Sequence, residues 1–324
     1  MKSHVFDVST DTPLEAANFL SEQGYLVIRG GIPEAAIKQV ERQIRHLIDQ
    51  NKQLFDSIRE ADGRIPRLLN LHAAIPSLID LFDCNVFSKQ VQSEFLGEES
   101  TIYTSLYYEH GSAQSLHRDT PVFATRPTNK YLGVWIALED ADERNGCLEV
   151  VPKAHLLPEF DLANLAKEIY TDLNKIEPES QALWDLYQSR ANAQFSKAGL
   201  QSKLIHAKRG DTVIWHPHMP HGGSAIADMT RTRNSFVMHV MPKNTAVYHE
   251  DIFFNPNKSA PEKKRLTYQT KGTTQYMYRS KVGLGHTRKI SAHQLLTQEK
   301  YGLQPFASLL KDITQQIFQK IPTK

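Results

Sequence analysis

The chain has 324 residues, of which 40% are hydrophobic and 23% charged, and its formal net charge is only +2. This length can bury a sizeable core, and the composition is that of an ordinary globular protein. The small net charge gives no reason to expect a nucleic-acid or membrane-surface partner. Two cysteines exclude a disulfide framework. No apolar run approaches the ~20 residues of a membrane span, and no secretory signal opens the chain, so we expect a cytoplasmic protein.

The first hundred residues read as alternating helix and strand. Thr12 followed by Pro13 is a typical helix start, and Gly24 is a typical helix end. A short apolar strand follows at 25–28, Pro33 opens a second helix, and a further helical region covers about 76–96. We expect residues 1–100 to form an α/β support that packs against the outside of a sheet.

The sheet is expected to begin near Thr101. Short runs rich in β-forming residues then recur between turn signals, which indicates a sandwich or barrel rather than βαβ units. Residues 157–203 carry apolar side chains at helical spacing and form an insertion between the two halves, either a cover over the mouth of a site or a structural decoration. The expected class is mainly β with flanking helices, with core strands at 102–108, 114–120, 131–138, 147–152, 204–207, 212–215 and 231–240.

Residues 243–324 form a C-terminal extension in this reading. Between 262 and 289, eight Lys and Arg accompany one acidic residue. Such a run attracts an anionic substrate or is simply a solvated basic face. Residues 295–321 carry apolar positions at helical spacing, so a C-terminal helix is expected there.

A candidate metal site lies in the predicted sheet. On a strand, His117 and Asp119 project to the same face. A histidine from the segment 216–221 would complete a set of two imidazoles and one carboxylate, the facial triad that binds Fe(II) and leaves other coordination positions open. The second His-x-Asp triplet, His249 to Asp251, follows the closing strand and is expected to be a chance occurrence.

Five motifs lie at residues 116–120, 133–140, 145–152, 210–212 and 221–224. Together they resemble the phytanoyl-CoA dioxygenase (phytanoyl-CoA hydroxylase-like) family of Fe(II)/2-oxoglutarate oxygenases. The resemblance covers the chain from about Glu22 to Pro242. One departure is Lys153-Ala154 in a turn where family members usually have Gly-Ser. The resemblance implies a double-stranded β-helix (a jelly-roll, cupin-like core), bound Fe(II), and 2-oxoglutarate and O₂ as co-substrates.

The resemblance also indicates which residues bind the metal and 2-oxoglutarate. Among His216, His218 and His221, family spacing from Trp215 favours His221 as the third ligand, and the small Gly222 and Gly223 would let the backbone pass close to a metal. An arginine on the following strand is implied to bind the far carboxylate of 2-oxoglutarate, because a guanidinium pairs with a carboxylate through two hydrogen bonds. Alternation leaves Arg231 and Arg233 open, the family pattern favours Arg233, and the hydroxyl of Ser235 would assist it.

Other residues near the proposed ligands are weaker candidates. Gln114, Thr120, Tyr107 and Trp135 are expected either to contact 2-oxoglutarate or substrate or, for Trp135 especially, to be core residues. The remaining histidines of interest, His110, His155 and His239, are expected to be structural.

The family chemistry implies hydroxylation of a C–H bond in a small molecule, with release of succinate and CO₂. Related halogenases have a small residue in place of the carboxylate, so Asp119 favours hydroxylation. Two alternatives stay open: a cupin-like protein that binds metal and a small molecule without oxidation, and a Zn²⁺ hydrolase or isomerase on the same ligands. The sequence does not identify the substrate or the oligomeric state.

Overall fold

A computed structural model describes residues 4–261, 266–285 and 288–297. No helix in these ranges is long and apolar enough to cross a membrane. The helices of this part of the chain are α1 Pro13–Gln23, α2 Glu34–Gln50, α3 Lys52–Ser57, α4 Leu78–Asp83, α5 Val86–Leu96, α6 Leu162–Ala166, α7 Gln181–Lys197, α8 Glu250–Phe253 and α9 Ala292–Thr297.

The strands are short, as the turn spacing predicts. They are β1 Val5–Asp7, β2 Tyr25–Arg29, β3 Leu68–Leu69, β4 Ser100–Tyr108, β5 Ala124–Arg126, β6 Leu132–Ala137, β7 Leu148–Val150, β8 Lys203–Ile205, β9 Thr212–Trp215, β10 His221–Gly223, β11 Ser235–Pro242, β12 Ala246–Tyr248, β13 Tyr268–Lys271, β14 Thr274–Met277, β15 Lys281–Leu284 and β16 Arg288–Ser291.

The N-terminal residues form the expected helix and strand, α1 and β2. The side chain of Thr12 accepts a hydrogen bond from the backbone N–H of Glu15, Pro13 is the first helical residue, and Gly24 ends α1 with a φ of 82°. β2 then pairs antiparallel with β9. The first hundred residues therefore contribute strands to the sheet as well as helices to its outer face.

A major sheet runs in the order β1-β2-β9-β6-β11-β4-β3-β15-β16, with β14 alongside β4 and β13 alongside β14. Its long central strand β11 pairs antiparallel with both β4 and β6. One face is covered by helices α1, α2, α4 and α5, whose apolar side chains pack against Phe236, Met238 and Val240 of β11. The C-terminal strands β13–β16, which the sequence pattern does not predict, extend this same sheet.

A minor sheet of β10, β7 and β8 faces the other side of the major sheet. Between the two lies a second apolar cluster that includes Trp135, Val150, Ile205, Trp215 and Val237. Two sheets that close over an inner core form a double-stranded β-helix, so the predicted fold is confirmed. Ser235 and His239 share the inward face of β11 with Val237, because side chains alternate along a strand.

One expected strand is wrong. Residues 114–120 form a single bridge, between His117 and His221, and no ladder. Side chains of α7 take the place of a neighbouring strand, because Gln188 bonds both the N–H and the C=O of Arg118, at 2.8 and 2.9 Å, and Asn192 donates to the C=O of Leu116 at 3.2 Å. The backbone polar groups are satisfied without a regular strand.

The insertion therefore lies against the proposed metal-binding segment. Its helix α7 is capped by Ser180, whose backbone N–H donates to the buried side chain of Glu250. The predicted C-terminal helix coincides with α9 over 295–297, and its remainder lies outside the described residues.

The unusual turn at Lys153 keeps the conformation that glycine would favour. Lys153 has a φ of 66°, in the left-handed region, and its N–H donates to the C=O of Gln23 at 3.0 Å. The turn is tied to the end of α1, so the loop shape does not depend on a glycine.

Candidate metal centre

Three side chains meet at the end of the space between the sheets. His117, Asp119 and His221 are all buried, and one ligand atom from each lies within 4.8 Å of the others. Nε2 of His117 is 3.5 Å from Asp119 Oδ1, and Nε2 of His221 is 3.4 Å from Asp119 Oδ2. Among the described residues, this is the one group of three or more such side chains that could hold a metal ion.

The two imidazoles are held in the tautomer that a metal requires. Nδ1 of His117 donates to the C=O of Ser115 at 2.8 Å, and Nδ1 of His221 donates to the C=O of Met219 at 3.0 Å. Each ring therefore presents the lone pair of Nε2 toward Asp119. Such outer hydrogen bonds are the usual way in which proteins orient metal-ligating histidines.

The protonation states also suit a metal. Burial lowers the pKa of His221 to about 4, so its imidazole is neutral near pH 7. For Asp119, burial alone raises the pKa, but His221, His117 and His239 more than offset this and hold it well below its ordinary value. A neutral imidazole and an ionised carboxylate are the forms that bind metals.

Packing fixes the distal histidine. The ring of Trp215 lies 4.6 Å from that of His221, centroid to centroid. Trp215 fits because Gly133 on β6 has no side chain: a Cβ there would come within 2.0 Å of the indole ring. Gly222 serves a similar purpose, since a Cβ there would be 2.4 Å from the backbone oxygen of Gln114. The expected approach of the backbone to a metal is therefore not the reason for the small residue; the close packing against the backbone of Gln114 is.

Arg233 is a buried cation that has no carboxylate partner in the described part of the chain. It is 3% exposed, its Nη1 donates to the C=O of Gly146 at 2.7 Å, and its guanidinium lies over the ring of Trp135 at 5.6 Å. Its Nε has no hydrogen-bond partner among the described residues. Burial lowers the pKa of Arg233 to about 10. A buried charge without an ion-pair partner is costly, which indicates a site for an anion.

Two further polar atoms near Arg233 are unpaired. Ser235 Oγ, two residues along on β11, and Trp135 Nε1 are buried and have no hydrogen-bond partner in the part of the chain that the structure describes. Tyr108 faces the same interior, because it pairs in register with Ser235. These side chains place unpaired hydrogen-bond donors near a buried cation, an arrangement that suits a carboxylate.

The other candidate residues are placed differently. Tyr107 lies on the helix-covered face of the sheet, where its hydroxyl donates to the amide oxygen of Asn234, so the inward-facing neighbour is Tyr108. The hydroxyl of Thr120 is used structurally, since it donates to the C=O of Pro217 at 3.0 Å. Gln114 is exposed and borders a cavity of about 350 Å³ at the edge of the site.

The remaining histidines of the distal segment pack outside the triad. Burial lowers the pKa of His216 to about 2 and that of His218 to about 4. His218 contacts Glu159 of the insertion, and His216 packs beside His155. His110 contacts Glu109 instead of the triad. The second His-x-Asp triplet also lies elsewhere: Glu250 holds the start of α7 and Asp251 pairs with Lys258.

Two residues that contact the proposed metal ligands are not identified as site residues from the sequence. His239 donates from Nε2 to Asp119 Oδ2 at 3.0 Å, although the sequence places it among structural histidines. Its alternation with Ser235 on β11 was the signal that could have located it. Trp184 of α7 packs 5.9 Å from the ring of His117, a contact that no local pattern indicates.

The fold and the donor set define a class: a double-stranded β-helix with two histidines and one carboxylate at its mouth. The sequence model of the phytanoyl-CoA dioxygenase (PhyH) family matches residues 20–232, more than half of the chain. This protein belongs to that family. It is 28% identical to peroxisomal phytanoyl-CoA dioxygenase of Rattus norvegicus and 23% identical to that of Bos taurus, over 64% of this chain in both cases. The chain matches 62% and 63% of the length of these two relatives, a little under two thirds.

Solved structures with a similar fold include enzymes that use iron and 2-oxoglutarate. The epimerase SnoN, crystallised with Fe³⁺, alpha ketoglutarate and nogalamycin RO, aligns with a TM-score of 0.53 at 17% identity over 82% of this chain and 98% of its own. The alpha ketoglutarate dependent carbocyclase SnoK gives 0.52 at 16% identity over 73% and 86%. At these identities the likeness shows the fold alone.

Proposed function

We propose that this protein is an Fe(II)- and 2-oxoglutarate-dependent dioxygenase that hydroxylates an unactivated C–H bond of a small molecule. The observation that carries the proposal is the pairing of a two-histidine, one-carboxylate centre with a buried arginine that has no carboxylate of its own. Iron bound at such a centre supplies oxidative decarboxylation of 2-oxoglutarate to succinate and CO₂, coupled to substrate oxidation.

Each residue has a defined task in this proposal. His117, Asp119 and His221 hold the metal, with the Nδ1 hydrogen bonds of the two imidazoles fixing their direction. Arg233 pairs with the far carboxylate of 2-oxoglutarate, because its Nε is unpaired and its charge is buried. Ser235 Oγ and Trp135 Nε1, which are buried and unpaired among the described residues, donate to the same co-substrate.

The choice between the two arginines rests on their surroundings. Nη1 of Arg231 donates to both carboxylate oxygens of Asp142, at 2.9 and 3.0 Å. Its charge is already paired, whereas that of Arg233 is not. An acid such as 2-oxoglutarate explains why a buried cation is kept without a partner. A metal hydrolase or a binding protein without oxidation gives Arg233 no comparable purpose.

The substrate is proposed only by class. The cavity of about 350 Å³ beside Gln114 and Tyr108 is large enough for a small molecule, and it is lined by both acidic and basic side chains, including Glu60 and Arg64. Of the basic run in the C-terminal extension, Lys271 pairs with Asp80 and Arg279 donates to the C=O of Tyr103. An anionic substrate therefore stays a prediction, as does a cytoplasmic location.

We also propose that α7 forms a wall of the substrate site. Trp184 lies half-buried against His117, and Gln188 fixes the helix to the backbone of Arg118. Whether this wall opens as a lid stays a prediction.

The test is an anaerobic titration of the metal-free protein with Fe(II) and 2-oxoglutarate, followed by addition of O₂ and a succinate assay. We expect a visible charge-transfer band and slow succinate release in the wild type, both abolished in His117→Ala and His221→Ala. Arg233→Ala should lose the band and Arg231→Ala should keep it. If Fe(II) binds and 2-oxoglutarate gives no band, the oxygenase proposal fails in favour of the non-oxidative or hydrolytic alternatives.

A substrate screen distinguishes hydroxylation from other reactions that use the same iron and 2-oxoglutarate. A product that gains one oxygen atom, labelled from ¹⁸O₂, supports hydroxylation. A product formed without an added oxygen atom would contradict hydroxylation and favour a cyclisation or an epimerisation.

A further inference from the structure

His239 has a fixed position behind the metal-binding carboxylate. It is 4% exposed and lies in the middle of β11, whose backbone pairs with β4 on one side and β6 on the other. Phe123 stacks on its imidazole with centroids 4.1 Å apart and an angle of 19° between the planes. The ring is therefore held in one orientation, with Nε2 directed at Asp119 Oδ2 at 3.0 Å.

The two oxygens of Asp119 consequently differ. Each oxygen lies near one proposed histidine ligand, Oδ1 at 3.5 Å from Nε2 of His117 and Oδ2 at 3.4 Å from Nε2 of His221. Only Oδ2 also accepts the hydrogen bond from His239. A hydrogen bond to a carboxylate oxygen occupies one of its lone pairs and fixes the rotation of the carboxylate. Oδ1 therefore keeps both lone pairs for the metal, whereas Oδ2 has one lone pair committed to His239.

We propose that His239 is a positioning residue that keeps Asp119 bound to the metal through a single oxygen. This inference rests on the proposed function. Carboxylates bind metals through one oxygen or through both. Two imidazoles, a carboxylate bound through both oxygens and a chelating 2-oxo acid would fill an octahedron and leave no position for O₂. His239 disfavours the second metal–oxygen bond because it holds Oδ2 in a hydrogen bond. The number of ligands on the metal therefore depends on a residue that does not touch the metal.

The experiment uses Co(II) as a spectroscopic probe in the full-length protein, titrated first alone and then with 2-oxoglutarate. His239→Leu removes the donor, and His239→Gln keeps an N–H at a similar reach. His72→Leu is the matched control, because His72 is equally buried but bonds Ser105 on the helix side of the sheet.

In His239→Leu we expect altered absorption spectra, both for Co(II) alone and after addition of 2-oxoglutarate, because the second carboxylate oxygen adds a ligand to the ion. 2-Oxoglutarate should still bind, since two positions remain for its chelate. His239→Gln should recover most of the wild-type spectra, and His72→Leu should match the wild type. A general loss of structure would instead weaken Co(II) binding first.

The inference is overturned if His239→Leu keeps the wild-type Co(II) spectra, or if the spectra of His239→Gln are as altered as those of His239→Leu. Failure of the proposed function looks different: the wild type itself would bind Co(II) and show no response to 2-oxoglutarate, while the spectra with Co(II) alone still report on His239. A wild type that binds no Co(II) would overturn both.

Discussion

Arg231 and Arg233 lie two residues apart and have opposite electrostatic surroundings. Arg231 is paired with the carboxylate of Asp142 near the surface. Arg233 is buried, and among the described residues its guanidinium contacts the C=O of Gly146 and the face of Trp135. The backbone before β11 is held by Glu139, which accepts hydrogen bonds from Thr232 and Asn234 on either side of Arg233. One arginine is paired within the protein, and the other is the one proposed to bind 2-oxoglutarate.

Replacing Arg233 by lysine tests whether geometry as well as charge is required. Lysine keeps the positive charge but cannot form the two parallel hydrogen bonds of a guanidinium. We expect Arg233→Lys to weaken 2-oxoglutarate binding by about 10- to 100-fold, the effect of losing a hydrogen bond to a charged group. Fe(II) binding should be unchanged. Arg231→Lys is the control, and equal losses in the two variants would contradict the assignment of the carboxylate to Arg233.

Gly133→Ala tests the support of the distal ligand. The added methyl would overlap the ring of Trp215, which packs on His221. We expect a loss of about 1–3 kcal/mol in the free energy of unfolding, as in other overpacked cores, together with weaker metal binding. The double variant Gly133→Ala with Trp215→Phe should be less destabilised than the sum of the single variants, measured by urea denaturation. Strict additivity would show that the two residues do not clash.

Gln188→Leu tests the clamp between α7 and the metal-binding segment. The change leaves the buried N–H and C=O of Arg118 without their partners, at a cost of about 1–3 kcal/mol. We expect faster amide hydrogen exchange in residues 116–119 and weaker metal binding. The control is Gln181→Leu on the same helix, where the side chain is exposed and bonds only Asp185. Unchanged exchange at 116–119 in Gln188→Leu would mean that the clamp does not order the segment.

Glu250 should make stability depend on pH. Burial raises its pKa from 4.5 to about 7, so the folded state holds a proton that the unfolded state has released between these values. The stabilisation is therefore fully present below pH 4.5 and is lost as the pH rises through 7. Relative to Glu250→Gln, the wild type should lose about 1–3 kcal/mol of unfolding free energy across this range. Asp251→Asn, which breaks the neighbouring ion pair with Lys258, should leave this pH dependence in place. A wild type that instead gains stability over the same range, relative to Glu250→Gln, would show that the pKa is not raised.

Local signals in the sequence were sufficient to predict most of the helices and strands around the site. The capped start of α1, the strand β9 and the apolar strand β6 lie where composition and turn residues place them, because these signals act within a few residues. The motifs around residues 117 and 221 named the three side chains that the structure brings together. The strand expected at 114–120 failed because side chains of α7, some 70 residues away, satisfy the backbone there.

The surroundings of these side chains depended on the tertiary structure. Alternation gives Arg231 and Arg233 the same face, and only the position of Asp142 distinguishes them. Likewise Tyr107 and Tyr108 are equivalent in composition, and only the register with β11 turns Tyr108 toward the site. The sequence by itself determined the family, the fold class and the donor set, because these reside in short motifs. The tertiary structure decided which charges are paired and brought His239 to Asp119. These contacts join residues about a hundred positions apart, so local patterns do not encode them.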